Sequence, residues 1–365
     1  MKKDISENIS SGVSKVSAYV PGAQPQSGDW VKLNTNEFPY PPSPKVKEAI
    51  IAELGGDAAS LRLYPSPESA PLRRALAQYF GVPESCAFAA NGSDDVLNLA
   101  IRAFSDTSKS VATLAPSYSL YPVLAKIQDS QLEQIPFNAD MSIPFEKVFA
   151  SRANIFFFTN PNAPTGVGFG EDTVRKIAEN FDGIVLVDEA YAPFAGYSAA
   201  RLVEKYDNLI VTGTSSKGWA LAGMRIGWAL AAPKIVEILD RVRDSYNLDR
   251  LAQAAGVAAL ADKPYYEKMR ALVIRERLST EKFFDSLGWF YYKSSTNFVF
   301  FQPKNAAGEV SAAITADLFD FLKQNKILPR YFPNEESINS FIRLTMGTDE
   351  QMAAFKSAVE KWLNL

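Results

Sequence analysis

Histidine is absent from all 365 residues. That gap removes Ser-His-Asp triads, Cys-His nucleophile pairs and imidazole ligands for zinc. Any acid–base chemistry must run on Lys, Asp, Glu, Tyr or a bound cofactor, and no metal site is expected. There is one cysteine, Cys86, so no intrachain disulfide can form and a reducing compartment is expected. No run approaches the about 18 apolar residues of a membrane span. The longest candidate, GWALAGMRIGWALAAP, is interrupted by Arg225. A formal charge of −3 leaves no basic footprint for nucleic acid. The opening MKKDISENISSG carries lysines with no apolar stretch behind them, so a secretory signal is not expected. These absences point to a cytoplasmic protein that binds neither nucleic acid nor membrane.

What is present reads as a large domain followed by a smaller one. Residues 1–30 are polar and read as an arm associated with the small domain. The stretch LNTNEFPYPPSP (33–44) is too rich in proline for regular structure. PKVKEAIIAEL (44–54) and SAPLRRALAQYFG (69–81) have helical spacing. Short apolar runs then alternate with amphipathic ones. CAFAAN, SVATLAP, NIFFFTNP, GIVLVDEA, LIVTGTS and MRIGWALAA read as strands, and SDDVLNLAIRAFS, SLYPVLAKIQ and EDTVRKIAEN as helices. Continuous apolar strands suit a mostly parallel sheet covered on both faces, so 31–250 is expected to be a doubly wound α/β domain. From 251 to 365 a long helix, two strands and two further helices predict a smaller α+β domain.

Lys217 lies in the hydroxyl-rich turn Thr214-Ser215-Ser216-Lys217, with Arg225 shortly after it. A desolvated lysine there suits a Schiff base with an aldehyde, with hydroxyls and a guanidinium beside it for a phosphate. A solvated loop lysine fits the same turn. Asn91-Gly92-Ser93-Asp94 falls between a strand and a helix, where backbone N–H groups could cradle a phosphate or the side chains could cap the helix. Asp188 ends the strand GIVLVD, and a carboxylate there is costly unless paired. A protonated pyridine nitrogen is such a partner. Asn162 and Tyr191 could bond a ring hydroxyl, and Tyr118 could stack on the ring. A turn role for Asn162 and core packing for the two tyrosines are the ordinary alternatives.

Nine segments stand in an order that resembles the histidinol-phosphate aminotransferase family, within the fold-type-I pyridoxal phosphate enzymes. They are AYVPG (18–22), LNTNEFPYPPSP, LYPSP (63–67), NGSDD, PSYSLYP, NPNAPTG, VDEAYAPF (187–194), TSSKGWALAGMRIGW and FIRLTMGT (341–348). The resemblance implies Lys217 as Schiff-base lysine and proton shuttle, and Asp188 at the pyridine nitrogen. It implies Asn162 and Tyr191 at the ring hydroxyl and Tyr118 stacked on the ring. Ser93, Asp94, Thr214, Ser216 and Arg225 would surround the cofactor phosphate, joined by Tyr64 of a second subunit in a homodimer. Tyr19, Arg330 and Arg343 would face the substrate. The pattern departs from the family's at Ala163, in LYPSP, which lacks the arginine usual just before the tyrosine and the aspartate between the prolines, and in NEFPYPPSP, which lacks a glycine and a second asparagine. The implied reaction is transfer of an amino group from L-histidinol phosphate to 2-oxoglutarate, in histidine biosynthesis. An aromatic amino-acid aminotransferase and a threonine-phosphate decarboxylase are alternatives on the same scaffold.

Overall fold

A computed structural model describes residues 6–17, 24–25 and 29–365. Its centre is a seven-stranded sheet. In spatial order the strands are Ala87–Ala90, Gly227–Ala231, Leu209–Thr214, Ile184–Asp188, Ile155–Thr159, Val111–Ala115 and Leu132–Pro136. Only Gly227–Ala231 runs antiparallel to its neighbours. The central strands are buried along their length, and alternate side chains feed two cores. Phe156, Phe158, Val185 and Val187 join one core, and Phe157, Leu186 and Ile210 the other. This is the two-residue period of a sheet covered on both faces.

The antiparallel strand has a local cause. After Thr214 the chain folds into one helical turn, Ser215–Gly218, and a 3₁₀ turn, Ala222–Met224, instead of a crossover helix. Without a crossover the next strand returns alongside its predecessor. The same turn carries Lys217 at the carboxyl end of the sheet, where ligands sit in open α/β folds.

A second, antiparallel sheet has the order Arg330–Tyr331, Ile342–Thr345, Phe298–Gln302, Phe290–Tyr292. The helices Lys263–Ser286, Ala312–Gln324 and Asp349–Leu363 close its core around Phe284, Phe301, Leu318 and Phe355. Val31–Lys32 pairs in parallel with Ile327–Leu328. Helix Arg250–Ala261 sends Ala252, Ala255 and Ala259 into the large-sheet core, so by packing it belongs there, although it begins where the small domain is expected. The described part of the arm divides similarly. Ser11 and Lys15 bind Asp129, beside the large sheet, whereas Asp29 binds Lys326 of the smaller body. No helix among the described residues is long and apolar enough to cross a membrane.

Gly227 starts the antiparallel strand directly against the loop at Gly92. A Cβ on Gly227 would lie 2.2 Å from the Gly92 carbonyl carbon and 2.4 Å from Ser93 N. Both obstacles are backbone and cannot rotate away. Gly227→Ala should therefore lose about 1–3 kcal/mol of stability through overpacking. Urea unfolding of the apo-protein measures it, and an unchanged midpoint would contradict the close approach.

Candidate active site

Lys217 Nζ donates to the Thr35 carbonyl oxygen at 3.0 Å. Its turn is set by Thr214, whose hydroxyl accepts from Ser216 N at 3.1 Å and donates to Ser216 Oγ at 2.9 Å. Burial lowers the Lys217 pKa from 10.5 to about 8, and the positive charges of Arg343 and Arg225 push the same way. Glu37 and Asp94 oppose them. A neutral amine is therefore within reach near physiological pH.

Asp188, 4% exposed, lines the same cavity, which has a volume of about 300 Å³. Its carboxylate accepts from Ala190 N and from the Tyr121 hydroxyl, both at 3.1 Å. Among the described residues no cation forms an ion pair with it. Burial raises its pKa to about 6, and the charge of Asp94 adds to the rise. Tyr121 is fully buried, and its hydroxyl lies 2.5 Å from Thr159 Oγ1. With the phenol proton given to Asp188, Thr159 must be the donor in that second bond.

The phosphate-type loop has matching geometry. Gly92 takes a φ of +88°, a conformation that suits glycine, before the helix Ser93–Phe104. No side chain caps that helix, so its first N–H groups remain available. Arg225 Nη1 donates to Ser216 Oγ at 3.3 Å, and its Nη2 lies 3.7 Å from Asp94 Oδ2. The Asp94 carboxylate also accepts from the Tyr118 hydroxyl at 3.2 Å. What Asp94 can offer an anion is therefore its backbone N–H, because its carboxylate would repel one.

The remaining expected residues divide. Tyr191 lines the cavity, and its hydroxyl accepts from Asn36 Nδ2 at 2.8 Å. Asn162 is committed to its turn: its Oδ1 accepts from Thr165 Oγ1 at 2.7 Å and its Nδ2 donates to Pro116 O at 3.2 Å. Only its second Nδ2 hydrogen is left for anything else. Arg330 and Arg343 are direct partners across the antiparallel strand pair and together line a recess with Asn34, Thr35 and Tyr118. Tyr64 is apart from them. It is 76% exposed, stacks on Tyr246 at 4.3 Å, and does not line the Lys217 cavity of its own chain. Tyr19 lies outside the described residues.

Three contributors were not singled out from the sequence: Tyr121, Thr35 and Asn36. Tyr121 stands three residues after Tyr118 in PSYSLYP, and the two rings meet edge to face at 5.7 Å. Asn36 has a left-handed φ of +56°, which asparagine tolerates, but nothing in the sequence alone shows what its amide meets.

The chain belongs to the class I and II aminotransferases, whose family model matches residues 28–359. Within that family it belongs with the histidinol-phosphate aminotransferases. It is 42% identical over 356 residues to the histidinol-phosphate aminotransferase of Geobacter sulfurreducens, covering 96% of this chain and 98% of that relative. With that of Geotalea daltonii the identity is 43% over 345 residues, covering 93% and 95%. The crystal structure of histidinol-phosphate aminotransferase from Sinorhizobium meliloti in complex with pyridoxal-5′-phosphate superposes with a TM-score of 0.82, over 91% of this chain and 90% of that one. Its sequence identity is 24%, so that likeness bears on the fold, which is that of the fold-type-I pyridoxal phosphate enzymes.

The chain is accordingly a pyridoxal-phosphate-dependent aminotransferase, and its residues fit that cofactor. A buried carboxylate without a counter-ion suits a protonated ring nitrogen, and the uncapped helix end with Arg225 and Ser216 suits a phosphate.

The unpaired carboxylate has a measurable sign. Its folded pKa lies above its unfolded value, so the folded apo-protein holds the proton more tightly and stability falls as pH rises from about 4 to 6. Asp188→Asn removes the charge, keeps the bond from Ala190 N on its Oδ1, and holds the second by reversing it, with Nδ2 donating to the Tyr121 oxygen. The apo-variant should be more stable than wild type by about 3 kcal/mol at pH 8. The gap should narrow to about half of that at pH 5. Cofactor affinity should fall at the same time. Thermal melts across pH 5–8 test this, and an apo-variant less stable than wild type at pH 8 contradicts the unpaired charge.

Proposed function

We propose that this chain transfers the amino group of L-histidinol phosphate to 2-oxoglutarate, yielding imidazole acetol phosphate and L-glutamate, in cytoplasmic histidine biosynthesis. The observation that carries the substrate choice is the cross-strand pair Arg330 and Arg343. Like charges directly opposite on a sheet destabilise it, and a phosphate dianion between two guanidinium forks removes that repulsion. The relatives' names support the same reading.

When bound, the cofactor supplies an electron sink for the charge left at the substrate Cα. The protein's own groups do the rest. Lys217 Nζ, neutral above about pH 8, takes the Cα proton. Asp188 keeps a proton on the ring nitrogen by pairing with it. Ser93, Asp94, Thr214, Ser216 and Arg225 hold the cofactor phosphate, Tyr118 stacks, and Tyr191 with the remaining Asn162 N–H bonds the ring hydroxyl. Arg330 and Arg343 seat the substrate phosphate, with Tyr19 of the arm. Arg343 lines both the recess and the Lys217 cavity, which supports a role in receiving a carboxylate of 2-oxoglutarate in the second half-reaction.

Each hydrogen bond to a charged group contributes about 1.5–3 kcal/mol. Arg330→Ala should therefore reduce kcat/KM for histidinol phosphate by roughly tenfold to a hundredfold, and far less for unphosphorylated histidinol. Equal losses on the two substrates would overturn the phosphate seat. Measuring carbon dioxide release with threonine phosphate in the same assay separates decarboxylation from amino transfer.

The active unit is proposed to be a homodimer. Tyr64, exposed and away from its own cavity, supports a role across the subunit boundary. Mixing inactive Lys217→Ala with a Tyr64→Phe variant of reduced activity should give hybrid dimers with one intact site. Activity above the mean of the two parents is the expected result. A fully active monomer by sedimentation would rule the arrangement out.

A further inference from the structure

A second cavity, of about 590 Å³, lies behind the sheet from Lys217. It shares the strands of the active site but uses their other side chains. Asp188, Ala190 and Thr214 face the Lys217 cavity, whereas Glu189, Val211 and Gly213 face this one. That alternation follows from the two-residue period of a strand. Its size falls within the about 300–1,000 Å³ of small-molecule sites.

Its walls are aromatic: Tyr79, Phe80, Trp219 and Trp228. The absence of a side chain at Gly213 creates part of that surface. A Cβ there would lie 2.6 Å from the Trp228 indole, so glycine lets the ring lie against the strand. Trp219 and Trp228 meet edge to face at 5.3 Å.

The charged lining is uneven. Arg270, 8% exposed, sits over the Trp219 ring at 5.3 Å, and its Nε donates to Tyr266 O at 3.1 Å. Its two terminal nitrogens have no hydrogen-bond or ion partner among the described residues. Glu189, by contrast, has both oxygens occupied, by Ser198 Oγ at 2.5 Å and Ala199 N at 2.6 Å. Lys263 and Glu267 at the rim pair with each other at 3.6 Å. Arg201 also lines the cavity but is exposed, so the nearly buried charge that remains is the Arg270 guanidinium, without a counter-ion among the described residues and beside flat apolar rings. A buried cation in that state is costly, and an anion relieves it.

We propose that this cavity is a second binding site, for a small planar aromatic carboxylate. The carboxylate pairs with the terminal nitrogens of Arg270, and the ring packs against Trp219 and Trp228. The ligand needs neither an amino nor a keto group, because Lys217 lies on the other side of the sheet. The site therefore accepts molecules that cannot be substrates.

Indole-3-acetate is a suitable probe, since it carries the ring and the carboxylate and cannot be transaminated. Titrated into the holoenzyme, it should bind saturably, one per chain, by calorimetry and by a change in tryptophan fluorescence. Addition of 2-oxoglutarate should not displace it. Arg270→Met should weaken binding about tenfold or more, and neutral 3-methylindole should bind wild type about tenfold more weakly than the acid. Because Arg270 is nearly buried, Ala271→Trp is the second variant. Ala271 is exposed on the helix Lys263–Ser286 and lines the cavity, so the indole fills it from outside the core. That variant should lose the probe and keep transaminase activity. No saturable binding up to roughly 10 mM, equal affinity in both variants, or displacement by 2-oxoglutarate would each overturn the proposal.

Discussion

Asp188 is a carboxylate held inside the protein with no ion-pair partner among the described residues, and much of the site is organised around that unfavourable state. Its two oxygens receive one N–H and one phenol, and the charge of Asp94 makes ionisation harder. Lys217 suffers the opposite desolvation, and its amine is driven toward neutrality. A closed Asp188–Lys217 ion pair would have reversed both shifts, lowering the acid and raising the base. The cavity prevents that closure and keeps the two groups available to a third. The folded chain bears this cost because the cores on both faces of the sheet bury enough apolar surface to offset it. Preorganised charge of this kind needs no reorganisation when a cationic ring arrives.

The two bodies of the molecule meet the site through one short irregular segment, 33–37. Leu33 bonds both neighbouring parts of the smaller body, through Leu328 O and Thr345 N. Arg343 donates to Asn34 O, Lys217 to Thr35 O, and Asn36 to the Tyr191 hydroxyl. Asn297 in turn donates to Asn36 O. Lys217, Tyr191 and Arg343 are thus tied to adjacent residues of one short stretch. Its backbone supplies most of the bonds, so side-chain identity matters chiefly at Asn36.

This segment also shows where reading the sequence stops. Proline content excluded a helix or a ladder strand from 33–44, which holds up to the helix that starts at Pro44, but a backbone carbonyl has no sequence signal, so its meeting with Lys217 could not be read. The strands Ile155–Thr159 and Ile184–Asp188 were legible because full burial leaves an unbroken apolar run. The edge strand Leu132–Pro136 was not, because LEQIP is largely exposed and reads as a loop. Lys217, Asp188 and Arg225 stood out because each is a charged residue in an apolar setting. Tyr121 did not, because a buried tyrosine near a proline looks like any core aromatic. The chemistry was legible where it broke a pattern and hidden where it conformed to one.

The two anion seats proposed for the site are built differently, and the difference matches what the proposal asks of each. The seat at Gly92–Asp94 uses a helix terminus, a glycine that no Cβ could replace, and an arginine fixed in a left-handed turn. Backbone dipoles and packed glycines cannot swing away, so this seat suits a group that stays through many turnovers. The seat at Arg330 and Arg343 uses two long side chains on a short strand pair, each lying over the Phe332 ring. Glu335 lines the same recess and interacts favourably with Arg330, so part of the repulsion is already offset and a bound anion relieves more of it. Such a seat binds a dianion without making its release prohibitively slow. In the proposed reading a resident phosphate is held by the backbone and a transient one by side chains.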